Sequence, residues 1–166
     1  MYKDLVSKDA IEKIKEIAGD VNICMFCTEL DQQPFSTRPM AVREVDDQGN
    51  LWFISSSSSH KNKEIKEEEN VQLLFSKASS AQFLSVYGKA SIYRDSEKIK
   101  ELWTPIASAW FEEGKEDPKL TVIKVSPSDA YYWDTPNGKL VTLIKIAKAA
   151  ITGKTTDAGE QGNIIV

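Results

Sequence analysis

In the stretch VQLLFSKASSAQFLSVYGKASIY, residues 71–93, two strand-like segments are separated by a short polar turn. The first, at 71–76, begins with the largely apolar run VQLLF, and the second, at 82–93, contains Gly88. Short segments rich in apolar, β-branched and aromatic residues are typical of strands, and a glycine within a strand often marks a bulge. The stretch therefore predicts two strands of a curved sheet.

Further strand segments occur on both sides of this stretch, namely at 21–29, 35–45, 51–55, 120–125 (LTVIKV) and 129–134 (DAYYWD). The turn-forming segments DQQP and DDQGN separate the first three, which indicates antiparallel neighbours. Few helical crossovers lie between the strands. A small closed or split barrel of about six strands is therefore favoured over a doubly wound parallel sheet.

Four helical segments flank these strands. The first is predicted from Ser7, as the N-cap, to Gly19, and the second at about 59–69. The third begins at about Asp95 or Ser96, with a kink or restart at Pro105. The fourth is predicted at about 138–152 and is followed by a polar tail at 153–166. The chain of 166 residues lies in the size range of one domain. We expect a single domain, residues 1–166, that is mainly β with flanking helices.

Charge and hydropathy exclude several classes of partner. The formal net charge is −4, so the chain has no overall attraction for nucleic acid or for anionic membranes. No uncharged span is long enough to cross a bilayer, and the N-terminus lacks the apolar core of a secretory signal. We therefore expect a cytoplasmic protein with neither a nucleic-acid nor a membrane partner.

The two cysteines, Cys24 and Cys27, form a C-x-x-C motif within the apolar run VNICMFCT. Such a motif is found in redox pairs and in zinc sites. Residues three apart in a strand point to opposite faces of the sheet, and a single remote histidine does not complete a tetrahedral zinc site. We therefore predict two core residues and no metal site.

The segment LWFISSSSSHKNKEI, residues 51–65, joins a predicted strand to a predicted helix and contains His60, the only histidine. That helix begins with the cationic residues Lys61 and Lys63 and ends with glutamates, an order that opposes the helix dipole. An anion bound at the helix N-terminus would offset this arrangement. The alternative, a solvated helix after a serine spacer, stays open from these residues alone.

A second cationic residue, Arg38, lies in the strand-like segment FSTRPMAV. The next residue is Pro39, and proline within a strand indicates an edge or a bulge. An arginine fork, with Ser36 and Thr37 before it, is suited to phosphate oxygens. The alternative is an ordinary exposed arginine on an edge strand.

The segments FSTRPM, LWFISSSSSHKNKEI, VQLLF and SVYGKA follow one another in the order and spacing of the FMN-binding split barrels related to pyridoxamine 5'-phosphate oxidase. The later run ELWTPIASAWFEEGKEDPKLTVIKVSPSDAYYWD resembles the general stress protein branch of that superfamily. The similarity covers about residues 5–153. It implies a six-stranded antiparallel split β-barrel that binds FMN at the interface of a homodimer.

The resemblance also implies a cofactor site of ten residues, which are Arg38, Pro39, Met40, Ile54, Ser55, Ser59, His60, Lys61, Trp110 and Trp133. In the family the arginine approaches the flavin phosphate and ribityl chain, and His60 and Lys61 match an Arg-Lys pair that grips the phosphate. Histidine in place of arginine would weaken that grip or make it depend on pH. Trp133 resembles an aromatic residue that reaches the flavin from the partner subunit. Trp110 and Phe111 are candidates for one wall of the flavin pocket. For these aromatic residues and for Trp133, packing in the core is the alternative.

Two departures from the family limit the functional prediction. The family's flavin-contacting glutamine aligns at about Phe83, with Gln82 one place away, and the Arg-x-His substrate motif of the oxidase has no counterpart. We therefore expect an FMN-dependent oxidoreductase with an unidentified substrate and electron donor, and not a true pyridoxamine phosphate oxidase. No catalytic residue is assigned. The alternatives are a non-catalytic flavin-binding stress protein, acting as a carrier or sensor, and a split barrel that binds another phosphorylated or tetrapyrrole ligand.

Overall fold

A computed structural model describes residues 1–135, 145, 147–153 and 159–165. The strands in these ranges are β1 (Leu5–Val6), β2 (Ile23–Thr28), β3 (Ser36–Ala41), β4 (Glu44–Val45), β5 (Leu51–Ser56), β6 (Asn70–Lys77), β7 (Gln82–Tyr93), β8 (Leu120–Asp134) and β9 (Glu160–Ile165). The helices are α1 (Ser7–Val21), α2 (His60–Glu67) and α3 (Ser96–Leu102), with 3₁₀ turns at Pro105–Ala109 and Gly114–Glu116. Residues 147–152 are helical as well.

The strands form one mixed sheet that does not close into a barrel. Its order is β1-β9-β8-β7-β6-β2-β3, while β5 pairs with both β4 and β8. All pairs are antiparallel except β1 with β9. The prediction of a mainly β fold with flanking helices is confirmed. The prediction of six antiparallel strands is wrong in number, because the described residues form nine strands.

The strand β8 merges two segments that the sequence predicts as separate strands. Its residues 120–125 pair with β5, its residues 130–134 pair with β9, and most of its length pairs with β7. A register shift between Tyr87 and Gly88 leaves Ser128 of β8 as the extra residue. The bulge predicted at Gly88 is therefore confirmed, although the inserted residue belongs to the partner strand. A bulge of this kind bends the strand that carries the extra residue.

The glycine at this bulge allows two backbones to approach closely. A Cβ atom on Gly88 would lie 2.2 Å from the carbonyl oxygen of Ser126, well inside van der Waals contact. Only a residue without a side chain fits between these strands. The bend of the sheet therefore depends on one sequence position.

Two apolar clusters lie against the sheet. The larger one includes Ile14 and Ile17 of α1 and an edge-to-face pair, Phe26 and Phe53, whose ring centroids are 5.2 Å apart. The smaller one, formed by Ile99, Leu102, Phe111, Leu120 and Val122, joins α3 to the first half of β8. The smaller cluster anchors the connection between α3 and β8 beside the sheet.

The ends of the helices agree with the sequence in part. Helix α3 begins at Ser96 and Pro105 begins a new 3₁₀ turn, as predicted. Asp95 caps α3 by accepting hydrogen bonds from the backbone of Glu97 and Lys98. The Ser7 cap is wrong, because the N-cap of α1 is Val6 and makes no side-chain hydrogen bond. The helix also continues past Gly19 and ends at Asn22, whose φ of 62° is a conformation that asparagine tolerates.

The predicted polar tail at 153–166 is wrong where the structure describes it, because Glu160–Ile165 forms β9. Ile164 is buried against the core, and Gly162 lets the chain pass so close to Lys3 that a Cβ atom would lie 2.0 Å from the Lys3 carbonyl oxygen. Gly162 and Lys3 are 159 positions apart in the chain, so the local sequence pattern did not predict a strand here. The predicted helix at 138–152 lies largely outside the described residues.

Both cysteines are buried free thiols, as predicted. Cys24 faces the Met40 carbonyl oxygen and Cys27 the Thr37 hydroxyl. Burial raises the pKa of the Cys24 thiol to about 12, which keeps it protonated and unreactive at neutral pH. Within the described ranges, no cluster of three or more metal-ligating side chains is present, and no helix is long and apolar enough to span a bilayer.

Candidate functional site

A cleft of about 610 Å³ lies where β3, the β5–α2 connection and the 3₁₀ turn after α3 meet. Eight of the ten residues in the predicted cofactor site line it: Arg38, Pro39, Met40, Ile54, Ser55, Ser59, Lys61 and Trp110. These residues come from segments that are distant in sequence. The fold therefore brings most of the predicted site together around one cleft.

Strand β3 forms one side of the cleft. Among the described strands it ends the order and pairs only with β2, so the edge position predicted from Pro39 is confirmed. Arg38 and Met40 are half-buried, whereas Pro39 and Ala41 are exposed on the other face. All four residues line the cleft, which therefore follows the free edge of the sheet.

The serine run is held in place by buried hydrogen bonds and is not a flexible spacer. The Ser55 hydroxyl donates to Oδ1 of Asn62 at 2.7 Å, and the Asn62 amide donates to Thr121 at 2.9 Å. Ser59 is the N-cap of α2, because its hydroxyl accepts the backbone N–H of Asn62 at 3.3 Å. Asn62 is completely buried. The network fixes the first turn of α2 against β5 and β8.

A triangle of hydrogen bonds joins Arg38 to β2 and α2. The guanidinium donates to the hydroxyl of Thr28 at 2.6 Å and to the carboxylate of Glu64 at 2.7 Å. The Thr28 hydroxyl donates in turn to Glu64 at 2.6 Å. Partial burial pushes the pKa of Glu64 upward, but the hydrogen bond from Thr28 and the charge of Arg38 outweigh it and lower the pKa below its usual value. Glu64 is therefore ionised at neutral pH.

Lys61 is one of three described cationic residues that line the cleft, with Arg38 and Arg43. It is half-buried, and within the described residues its ammonium group has no hydrogen-bond acceptor or ion-pair partner. Burial lowers its pKa below the usual value, the nearby Arg38 lowers it further, and Glu64 opposes the change. A partly desolvated cation without a partner is costly unless it meets an anion. Lys61 therefore marks the part of the cleft suited to a negatively charged group.

The opposite wall of the cleft is apolar. Ile54 of β5 and the residues Ile106 and Trp110 after α3 form much of it. Phe111 is buried and packs against Trp103 with a ring distance of 6.1 Å, which anchors this wall to the smaller core cluster. Trp110 is 73% exposed, so core packing does not explain it. The cleft thus has a cationic end and an apolar, partly aromatic side.

A family model for proteins described as pyridoxamine 5'-phosphate oxidase-like matches residues 9–157, most of the chain and every segment that lines the cleft. The chain belongs to this family. The match confirms the resemblance inferred from the four short segments and the later tryptophan-containing run.

Other members of the pyridoxamine 5'-phosphate oxidase-like family and their structures agree with this assignment. Protein bli-3 of Neurospora crassa is 28% identical over 127 residues, which are 71% of this chain and 61% of that protein, so the chain spans less than two thirds of this curated relative. A general stress protein 26 of Jannaschia sp. superposes with a TM-score of 0.79 and 26% identity over 96% of this chain and 99% of the other. A structure described as a general stress FMN/FAD binding protein of Xanthomonas citri superposes with a TM-score of 0.65 and 25% identity over 76% and 89% of the two chains.

Two residues that the family resemblance assigns to the cofactor, His60 and Trp133, do not line the cleft. His60, the first residue of α2, has an exposed side chain. Trp133 lies on β8, where it packs against Tyr131 at a ring distance of 4.6 Å and is 42% exposed. Its strand neighbour is Phe83. Within a single chain, neither Phe83 nor Gln82 reaches the cleft, so the family's glutamine contact has no counterpart there.

Four residues whose hydrogen bonds organise the cleft were not predicted as site residues from the sequence. They are Thr28, Asn62, Glu64 and Thr121. Asn62 carried one usable signal, because it lies one helical turn before Ile65, the apolar residue of α2, and therefore shares its buried face. Glu64 and Thr28 contact Arg38 across elements that are far apart in sequence. No local pattern identifies such partners.

Proposed function

We propose that the chain binds FMN in this cleft and uses it as an oxidoreductase acting on an unidentified small molecule. The observation that carries the proposal is Lys61, a half-buried ammonium group without an acceptor in the described part of the chain, which lines the cleft beside the N-cap of α2. Backbone N–H groups at a helix start, serine hydroxyls and a cation together favour a phosphate group. The family membership supports the same ligand class.

The residues present fit a flavin nucleotide. A volume of about 610 Å³ lies within the range of roughly 300–1,000 Å³ that is usual for cofactor and ligand pockets. Lys61, Ser56 and Ser59 would hold the phosphate, and Ile54 and Trp110 would contact the ring system. A bound flavin supplies one- and two-electron transfer chemistry, and the surrounding residues bind it, orient it and exclude water. The flavin named for the Xanthomonas citri neighbour supports this choice.

A second candidate function is a flavin-binding stress protein without turnover. Among the described residues that line the cleft, none is a histidine, aspartate or glutamate. Groups that transfer protons in catalysis are most often of these types. This composition favours a carrier or sensor over an enzyme that needs its own general acid or base. The names of general stress proteins among the structural neighbours agree with it.

The test is whether the purified protein is yellow and releases FMN on denaturation, or binds added FMN with micromolar or tighter affinity in a fluorescence titration. We expect riboflavin, which lacks the phosphate, to bind much more weakly. A colourless protein that also fails to take up FMN would contradict the proposal. Reduction of the bound flavin by NAD(P)H, followed by reoxidation with an acceptor, separates the enzyme from the carrier.

We also propose that the protein forms a homodimer with the cofactor at the interface, as in the family it belongs to. One face of the sheet is apolar and uncovered within the described residues. Met25 is 41% exposed and Leu74 is 43% exposed, and they are direct neighbours on adjacent strands. Trp133 lies on the same face, and Pro39, opposite Met25, borders the cleft. An exposed apolar surface next to a ligand site is typical of a subunit interface.

The dimer predicts a solution mass of twice the 18.6 kDa of the chain in sedimentation equilibrium. We expect Met25→Glu to produce monomers and to weaken FMN binding together, because a charge would be buried in the interface and half of the site would be lost. Met25→Leu, which keeps the apolar contact, is the control and should remain dimeric. A monomeric wild-type protein that binds FMN normally would contradict the dimer proposal.

A further inference from the structure

The carboxylate of Glu64 lies behind the cationic end of the cleft. Arg38 lines the cleft, whereas Glu64 and Thr28 contact its guanidinium and do not themselves line the cleft. The ion pair is well shielded, since the two side chains are 23% and 15% exposed. Two of the five N–H donors of the guanidinium are therefore directed away from a ligand in the cleft.

This arrangement changes the charge that a ligand meets. Arg38, Arg43 and Lys61 contribute three positive charges to the lining. The Glu64 carboxylate behind Arg38 cancels one of them. The hydrogen bond from Thr28 and the charge of Arg38 keep this carboxylate ionised at neutral pH, because they lower its pKa more than partial burial raises it. The cleft consequently attracts a phosphate less strongly than its three lining cations alone would.

We propose that Glu64 is an internal counter-ion that sets the phosphate affinity of the cleft, fixing Arg38 in place while removing one unit of net positive charge. The inference rests on the proposed binding of a phosphate-bearing flavin and adds the residue that limits how tightly it is bound. The pairing of Glu64 with Arg38 also explains part of the unfavourable charge order of α2. Glu64 is a partner of Arg38, and not a carboxylate misplaced relative to the helix dipole.

The inference is tested with Glu64→Gln, in which the amide oxygen still accepts the hydrogen bonds of Thr28 and Arg38 but the charge is gone. At constant ionic strength we expect the affinities for FMN and for inorganic phosphate to rise on the order of tenfold, the size of the effect of one unit charge several ångströms away. The affinity for riboflavin should not change. Isothermal titration measures all three ligands on the full chain.

Two further variants separate charge from structure. Glu67→Gln removes the same charge from α2 at a side chain that is 64% exposed and 4.0 Å from Lys63, and it should change FMN affinity less than twofold. Glu64→Asp keeps the charge on a side chain that is shorter by one methylene group, and its affinity for FMN should stay within about threefold of that of the wild type. If Glu64→Asp tightens phosphate binding as much as Glu64→Gln does, geometry rather than charge is responsible and the inference is wrong.

The outcomes also distinguish this inference from the proposed function. Wild-type protein that binds FMN, with Glu64→Gln binding it equally or more weakly, overturns the role of Glu64 and leaves the flavin proposal intact. If the protein binds inorganic phosphate but neither FMN nor riboflavin, the flavin proposal is wrong. Tighter phosphate binding by Glu64→Gln would then still support the role of Glu64 as a counter-ion. Absence of all phosphate-dependent binding contradicts both.

Discussion

Replacing Lys61 with alanine is expected to weaken FMN binding by roughly 30- to 150-fold, which corresponds to the 2–3 kcal/mol of a charge-assisted hydrogen bond to a phosphate. The expected loss is large because Lys61 has no acceptor among the described residues, so its charge is available to the ligand. For the same reason the fold should not suffer. The free energy of unfolding of the ligand-free variant should equal or slightly exceed that of the wild type.

Measurements at several pH values provide an independent check on this residue. Because burial lowers the pKa of Lys61, its charge is lost at a lower pH than that of an exposed lysine, and FMN affinity should fall as the pH rises through this pKa. Lys61→Arg, whose guanidinium stays protonated, should bind FMN with no such alkaline decline. Riboflavin is the control ligand, because it has no phosphate. Unchanged FMN affinity in Lys61→Ala would show that the phosphate does not bind at this end of the cleft.

Replacing Gly88 with alanine is expected to lower the free energy of unfolding by roughly 3 kcal/mol or to prevent folding, the range of the most severe overpacking effects. The added Cβ would lie 2.2 Å from the Ser126 carbonyl oxygen, a backbone atom that cannot rotate away. Relief requires β7 and β8 to separate at the bulge where the sheet bends. Urea denaturation followed by circular dichroism measures the change.

The chain offers a matched control at Gly19. This glycine lies within α1, and a Cβ atom there would meet nothing within 4 Å. Gly19→Ala should therefore stabilise the protein by about 0.5–1 kcal/mol, since alanine loses less backbone entropy than glycine in a helix. Equal stability of Gly88→Ala and the wild type would mean that the two strands are not packed as described.

Local patterns predicted those features whose physical cause is local. The strand segments, the start of α3 at Ser96 and the edge position of Pro39 follow from periodicity, helix-start residues and a missing N–H. The strand β9 escaped prediction because its polar sequence becomes a strand only by pairing with β8 and β1. The two strands predicted at 120–125 and 129–134 are likewise one strand, β8, because pairing with β7 continues through Ser126 and Pro127.

For the candidate site too, the residues with a local signal were predicted and their distant partners were not. Arg38, Ser59 and Lys61 stood out through their residue type and their position at a strand edge or helix start, and they line one cleft. Their supporting partners did not stand out. Glu64 was assigned to the acidic end of α2, whereas its contacts are with Arg38 and Thr28, which lie 26 and 36 residues away in sequence. The FMN ligand, the dimer and the cytoplasmic location stay predictions.

The parallel pairing of β1 with β9 has a consequence for the order of events during synthesis. In the part of the chain that the structure describes, β1 ends the strand order and pairs only with β9, so the two segments that form this ladder are separated by most of the sequence. A ribosome therefore releases β1 long before its partner exists, and the cost of closing so long a loop delays the pairing further. The other strands can assemble first, and this ladder joins as a late step once residues 160–165 have emerged.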